Sequence, residues 1–273
     1  MISVKNRSLQ SWVEDQMQRG RYTFTRDDAQ SVLASSAGNY VSVSLSRLVS
    51  RGVIMSPWQN FYVAIPTEYK LRSIVPPSFY IDRLMHYLRR EYYVSLLSAA
   101  EFNGASHQRA MLFQVTMNGG CIRSAVKNGT RLDFTLRQQL PMAFTKKIKT
   151  QMGYMNVAGA ELTALDLVAE QHKVGGLSRV AEMLVELCEK TQWDEQTLPL
   201  LSIFSIASIQ RLGYLLEKIE EEQQADNLYA LTKKVGKTMR TIPLKQNVGY
   251  DRTMPFNKRW KIIENYELEI DEI

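Results

Sequence analysis

Asn39-Tyr40-Val41-Ser42-Val43-Ser44-Leu45-Ser46-Arg47-Leu48-Val49-Ser50-Arg51-Gly52 decides how the first part of this chain folds. With Leu45 at zero on a wheel of about 100° per residue, Val41, Leu48 and Val49 fall within about 60° of it, the apolar stripe of a core-facing helix. Arg51-Gly52 ends that helix. Upstream, Thr25-Arg26-Asp27-Asp28 fits a capped helix start, the Thr25 hydroxyl meeting free N–H groups while Asp28 reaches back, and this helix is expected to run to about Ala34. Earlier still, Leu9, Trp12, Val13 and Met17 recur at helical spacing before Gly20. Downstream, two β-prone runs at 53–55 and 61–65 flank the loop Ser56-Pro57-Trp58-Gln59-Asn60. Three helices followed by a hairpin predict a winged helix-turn-helix over residues 1–70. Pro66, Pro76 and Pro77 mark the crossing into a second unit, 71–273.

In a helix-turn-helix the third helix enters the major groove, and here its outer face carries Asn39, Tyr40, Val43, Ser46, Arg47 and Ser50. Asn pairs with adenine and Arg with guanine, while an aliphatic group touches a thymine methyl; Asn39 and Arg47 are therefore the base-reading candidates. Arg26 and Arg51 stand where phosphates would be held, and Trp58, Gln59 and Asn60 form the expected wing tip. The same face would also suit a winged helix that contacts protein. Charge favours a polyanion: residues 1–75 carry 9 Lys+Arg against 5 Asp+Glu, 76–160 carry 11 against 4, and 161–273 carry 14 against 19, within a net charge of +6.

Beyond residue 70, stretches 80–90 and 92–102 read as helices. Runs 111–117, 121–126 and 131–136 read as strands, with turns at Asn118-Gly119-Gly120 and Asn128-Gly129. Helical periodicity returns at 160–170, 177–191, 205–222 and 226–237, and an extended segment, 260–270, closes the chain. The expected class is α+β: a winged helix-turn-helix followed by a larger, helix-rich mixed α/β domain.

Enzyme signatures are absent. The chain has no Gly-x-Gly-x-x-Gly, Walker A, Gly-x-Ser-x-Gly or His-Glu-x-x-His. Gly104-Ala105-Ser106 lacks the Asp-x-Asp pair a nucleotidyltransferase needs for magnesium. His86, His107 and His172 have no metal-ligand partner at i+3 or i+4, and Cys121 and Cys188 read as buried thiols. No cofactor or metal is expected. The apolar run 198–209 is too short and too interrupted to span a bilayer, and residues 1–10 lack a signal-peptide core, so a cytoplasmic protein without membrane contact is expected.

Several strings resemble the AbiEi family, antitoxins of the abortive-infection E type of bacterial type IV toxin–antitoxin systems. They are Leu45-Ser46-Arg47-Leu48-Val49, Phe61-Tyr62-Val63, Tyr92-Tyr93-Val94-Ser95-Leu96-Leu97-Ser98-Ala99-Ala100-Glu101, Gly104-Ala105-Ser106-His107-Gln108, Glu161-Leu162-Thr163-Ala164-Leu165-Asp166-Leu167-Val168, Gly175-Gly176-Leu177 and Gln210-Arg211-Leu212-Gly213-Tyr214-Leu215-Leu216-Glu217. The resemblance implies a partner toxin of nucleotidyltransferase type, repression of the shared operon through double-stranded operator DNA, and antitoxicity from the C-terminal domain. Tyr92 to Ala100 and Leu212 to Leu216 are expected in the core. Gln108, Arg123, Lys127, Arg131, Arg137, Lys146, Lys147 and Lys149 are expected on the working surface. Two other readings remain: a winged-helix regulator with a closed apolar effector pocket, and an enzyme acting on the toxin or a nucleotide. An inverted-repeat operator would suit either a dimer or paired monomers.

Overall fold

Ser8 caps the first helix, α1 (Leu9–Gln18), its hydroxyl accepting from the Ser11 N–H at 3.2 Å. The computed structural model describes residues 8–33, 38–71, 74–105, 112–120, 122, 125–127, 130–251 and 253–269, without the side chains of 38, 39, 125–127 and 130. Strand β1 (Thr23–Thr25) runs straight into α2 (Arg26–Val32). The expected cap is there: Asp28 N–H donates to Thr25 Oγ1 at 3.1 Å and Thr25 N–H donates to Asp28 Oδ2 at 2.7 Å. This helix stops at Val32, short of Ala34, which lies outside the described residues. Helix α3 (Gly38–Ser50) buries Val41, Leu45 and Leu48 against Leu9, Val13, Phe24, Ala29 and Leu33. Burial of each large aliphatic there stabilises by about 1.5–3 kcal/mol.

The hairpin comprises β2 (Ile54–Trp58) and β3 (Phe61–Ala64), so its turn is the two residues Gln59-Asn60 and not the five-residue loop expected. Pro57 reads as a breaker in sequence, yet the sheet order is β1-β3-β2 and β2 pairs on one side only. On an edge a missing N–H costs no ladder bond, and the pairing shifts register between Met55 and Trp58 to pass the proline. Asn60 takes the left-handed conformation, φ +59°, that so tight a turn demands.

The period-2 alternation of the hairpin sends its side chains into two cores. Ile54 and Ala64 join the core of α1–α3, whereas Met55, Phe61 and Val63, with Ile65 just beyond, join that of the larger unit.

After α4 (Pro77–Tyr87) comes β4 (Tyr92–Val94) and then α5 (Leu96–Phe102), where a single helix over 92–102 was expected. A short apolar run is ambiguous between helix and buried strand, and pairing on both flanks decides for strand. The sheet adds β5 (Leu112–Met117), β6 (Ala125–Lys127), β7 (Thr130–Leu136), β8 (Thr145–Thr150) and β9 (Gly153–Ala158) in the order β6-β7-β5-β4-β9-β8. The β8–β9 hairpin was not anticipated. Tyr92 reaches Asp82 of α4 at 3.1 Å; its neighbour Tyr93 points the other way, toward Asp166 of α6 (Ala160–Ala169). Alternation thus puts α4 and α6 on opposite faces of the sheet. Behind α6 stand α7 (Leu177–Cys188), α8 (Leu198–Ile203), α9 (Ile206–Lys218) and α10 (Glu222–Lys234). A small sheet follows, of β10 (Ile242–Pro243), β11 (Phe256–Asn257) and β12 (Ile262–Ile263), so among the described residues of the expected 260–270 strand only Ile262 and Ile263 are paired.

Candidate functional site

Fixing Val41, Leu45 and Leu48 inward leaves the other face of α3 in solvent. Tyr40 is 55% and Val43 47% exposed, and Ser46, Arg47 and Ser50 are exposed beside them. The side chain of Asn39 lies outside the described residues. Arg26 is half-buried and donates from Nη2 to Ser42 Oγ at 3.0 Å, which ties the start of α2 to α3. The backbone repeats the tie to the hairpin, since Arg26 N–H donates to the Asn60 carbonyl at 3.0 Å. Between these elements runs a groove of about 350 Å³ lined by Arg26, Ser42, Ser46, Val49, Ser56, Asn60 and Tyr62. Burial raises the Tyr62 phenol above its usual pKa, with the Arg26 charge pulling it down. Arg51 is exposed past the last turn and donates to Gln10 Oε1 at 3.1 Å.

Trp58 departs from expectation. Its ring meets Phe134 of β7 edge-on, centroids 5.8 Å apart, so the indole packs between the two units and is not presented at an exposed tip. The rest of the tip is tethered as well: the Tyr87 hydroxyl donates to the Gln59 carbonyl at 3.4 Å, and the Tyr87 ring lies 5.5 Å from Phe61. Gln59 and Asn60 remain exposed. Arg83, one turn before Tyr87 on the same face of α4, is an exposed cation outside the first unit, where the sequence gives no reason to look for one.

The basic residues of the larger unit divide. Arg131, Lys147 and Lys149 are exposed. Lys146 has an exposed stem, but its ammonium group donates to Asn103 Oδ1 at 2.6 Å, and burial plus the nearby Lys190 lower its pKa. Arg137, expected on the surface, is only 16% exposed; Nη2 donates to Asp166 Oδ1 at 2.7 Å and the guanidinium stacks 4.2 Å over Phe204. Strand β7 ends one residue earlier, and its continuation turns Arg137 under α6. Gln108 and Arg123 lie outside the described residues, as does the side chain of Lys127. Of the described ones, Arg137 and Lys146 are engaged by Asp166 and Asn103, which leaves Arg131, Lys147 and Lys149 as the exposed cations.

The motif strings are structural in their contacts. Tyr92 to Ala100 are buried throughout, and their polar members stitch α5 to β5: Leu97 N–H donates to Gln114 Oε1 and Gln114 N–H to Ser98 Oγ, both at 3.0 Å. On α9, Gln210 Nε2 donates to the carbonyls of Arg240 and Trp260, and Arg211 donates to those of Leu244 and Pro243. Gly213 leaves room for the Trp260 indole, whose ring carbons lie 2.1 Å from where a Cβ would stand. Cys188 is buried, and its thiol is pushed up to about 12. Among the described residues no group of three or more His, Cys, Asp or Glu could hold a metal ion, and no helix is long and apolar enough to cross a membrane. A cleft of about 550 Å³ between α4 and the β8–β9 hairpin, lined by Phe79, Phe102, Ile148 and Met155 among others, opens to solvent.

Residues 93–218 match the model of the AbiEi antitoxin C-terminal domain. The fold is similar to the crystal structure of the RV2827C protein from Mycobacterium tuberculosis, with a TM-score of 0.67 at 13% sequence identity over 92% of this chain and 89% of that one. No curated protein matches the chain by sequence.

Proposed function

Because residues 93–218 match the AbiEi antitoxin C-terminal domain, we propose that this chain is an antitoxin of that family, which represses its own operon and counteracts a cognate nucleotidyltransferase-like toxin, without a catalytic step of its own. In this reading residues 1–70 act as a winged helix-turn-helix in the cytoplasm, and 71–273 supply antitoxicity. The observation that carries it is the outward face of α3, where Tyr40, Val43, Ser46, Arg47 and Ser50 project while the opposite stripe is locked in a core. Arg47 reads a guanine, Val43 meets a thymine methyl, and Arg51 and Arg26 flank the helix at phosphate positions. Asn39 remains the adenine-reading candidate. Gln59, Asn60 and Arg83 extend the contact along the backbone. Trp58 is left out of it, since its ring is committed to Phe134.

Arg47→Ala is expected to weaken binding to the upstream duplex by about 1–3 kcal/mol and to leave binding to a scrambled duplex unchanged. A mobility-shift titration at two salt concentrations reads this directly, because nonspecific binding collapses with salt. Equal, salt-labile binding of both duplexes by the wild-type chain would remove the repressor role and make α3 a protein-contact face.

A further inference from the structure

In sequence, residues 237–261 are a basic stretch in the acidic last third of the chain, with Lys237, Arg240, Lys245, Arg252, Lys258, Arg259 and Lys261 against Asp251 as the one acid; Arg252 lies outside the described residues. Some of these cations have structural partners. Lys237 donates to the carbonyls of Leu201, Ser202 and Phe204, and Arg259 pairs with Glu217 and Asp226. Among the described residues, Arg240, Lys245, Lys258 and Lys261 form no ion pair. Lys245 lies over the Tyr266 ring at 3.9 Å and Lys261 donates to the Met239 carbonyl, contacts that leave their charge uncompensated.

The loop between β10 and β11 presents Val248 and Tyr250 at 38% and 56% exposure, and Phe256, the first residue of β11, is 44% exposed. Both of its limbs are pinned at one place: Asn265 Nδ2 donates to the carbonyls of Lys245 and Val248, and Glu264 N–H to that of Pro255. Its base is held by the buried Gln210 and Arg211, which donate to the backbone of Arg240, Pro243, Leu244 and Trp260. Burying a guanidinium on backbone carbonyls is a costly way to secure a segment, and what it secures carries two exposed aromatic side chains and four cations that form no ion pair among the described residues.

We propose that this loop binds single-stranded nucleic acid, bases stacking on Tyr250 and Phe256 while Arg240, Lys245, Lys258 and Lys261 hold the phosphates. Exposed rings with interleaved cations accept splayed bases of any sequence. A duplex keeps its bases stacked and out of their reach, and protein interfaces are depleted in lysine. The site is separate from α3 and does not depend on the operator reading.

The test is fluorescence anisotropy of the full-length chain with labelled oligo(U) RNA, oligo(dT) DNA and a mixed-sequence duplex, each of about 12 nucleotides or base pairs, within the range of single-strand site sizes. The double variant Tyr250→Ala, Phe256→Ala is expected to weaken single-strand binding by about tenfold or more and to leave duplex binding unchanged. Arg47→Ala should leave single-strand binding intact. Both rings are exposed, so an unaltered melting temperature checks folding, and Lys258→Gln should make single-strand binding less salt-dependent. Preference for oligo(U) would identify RNA, and equal affinity would identify single strands of either sugar; both fit the site. The proposal falls if neither oligonucleotide binds, if the double variant binds like wild type, or if single strand and duplex weaken together.

Discussion

Asp166 sits in α6 with 1% of its surface exposed, and its visible counterion is Arg137 at 2.7 Å. Burial pushes this carboxyl up from an ordinary 3.8 to about 6, with the Arg137 charge and the Tyr93 hydroxyl pulling it back. Across that window the folded chain keeps a proton that the unfolded chain has released, so this group's contribution to stability falls as pH rises from about 4 to 6. Asp166→Asn preserves an acceptor for Arg137 and is expected to flatten the decline of the thermal midpoint over the same pH range. An undiminished slope in the variant would assign it to other groups. In sequence, Asp166 is one acid among leucines and Arg137 one cation after a β-run; 29 positions separate them, and only the packing of α6 against the sheet makes them a pair.

At the scale of the element, α9 shows what a motif string is for. Gln210, Arg211 and Gly213 fall on one helix because their targets, the backbone at 240–244 and the Trp260 ring, lie along one side of it. Gly213→Ala would drive a methyl into an indole that is fully buried and braced edge-on by Tyr229 at 5.3 Å. We expect a loss of about 1–3 kcal/mol in urea unfolding, shrinking in a Trp260→Leu background. An equal loss in both backgrounds would exclude the contact as its origin. The strings themselves are legible, and so are helices with long periodic stripes such as α3 and α7. Less legible are β4, whose three residues look helical until β5 and β9 flank them, and β8, whose Thr-Lys-Lys-Ile-Lys-Thr sequence carries one apolar residue.

Across the whole molecule the decisive feature is the shared hairpin. Met55, Phe61, Val63 and Ile65 are 1%, 3%, 0% and 1% exposed because the larger unit covers them, and Trp58 with Phe134, Phe61 with Tyr87 and Tyr22 with Phe79 extend the contact. A fragment cut at residue 70 would expose four large apolar side chains, each about 1.5–3 kcal/mol of burial, comparable to the net stability of a small domain. Residues 1–70 alone are therefore expected to lack a cooperative melting transition by circular dichroism, whereas the full chain melts in one step. A fragment melting as sharply as the intact chain would show that α1–α3 suffice. The same docking orients α3 relative to α4 and the sheet, so whatever α3 contacts is presented beside the surface of the second unit.

Helix α3 and its outward residues, the Thr25–Asp28 cap and the α+β class follow from the sequence, because capping and periodicity act over a few residues where side-chain chemistry and backbone geometry are directly coupled. Tertiary structure alone decided that the Trp58 ring packs on Phe134, that Arg137 pairs with the buried Asp166, and that Gln210 and Arg211 hold the sheet of β10 to β12. Each depends on partners from 29 to 76 positions away, and at such separations burial and hydrogen-bond satisfaction over the assembled core, not local propensity, select the arrangement.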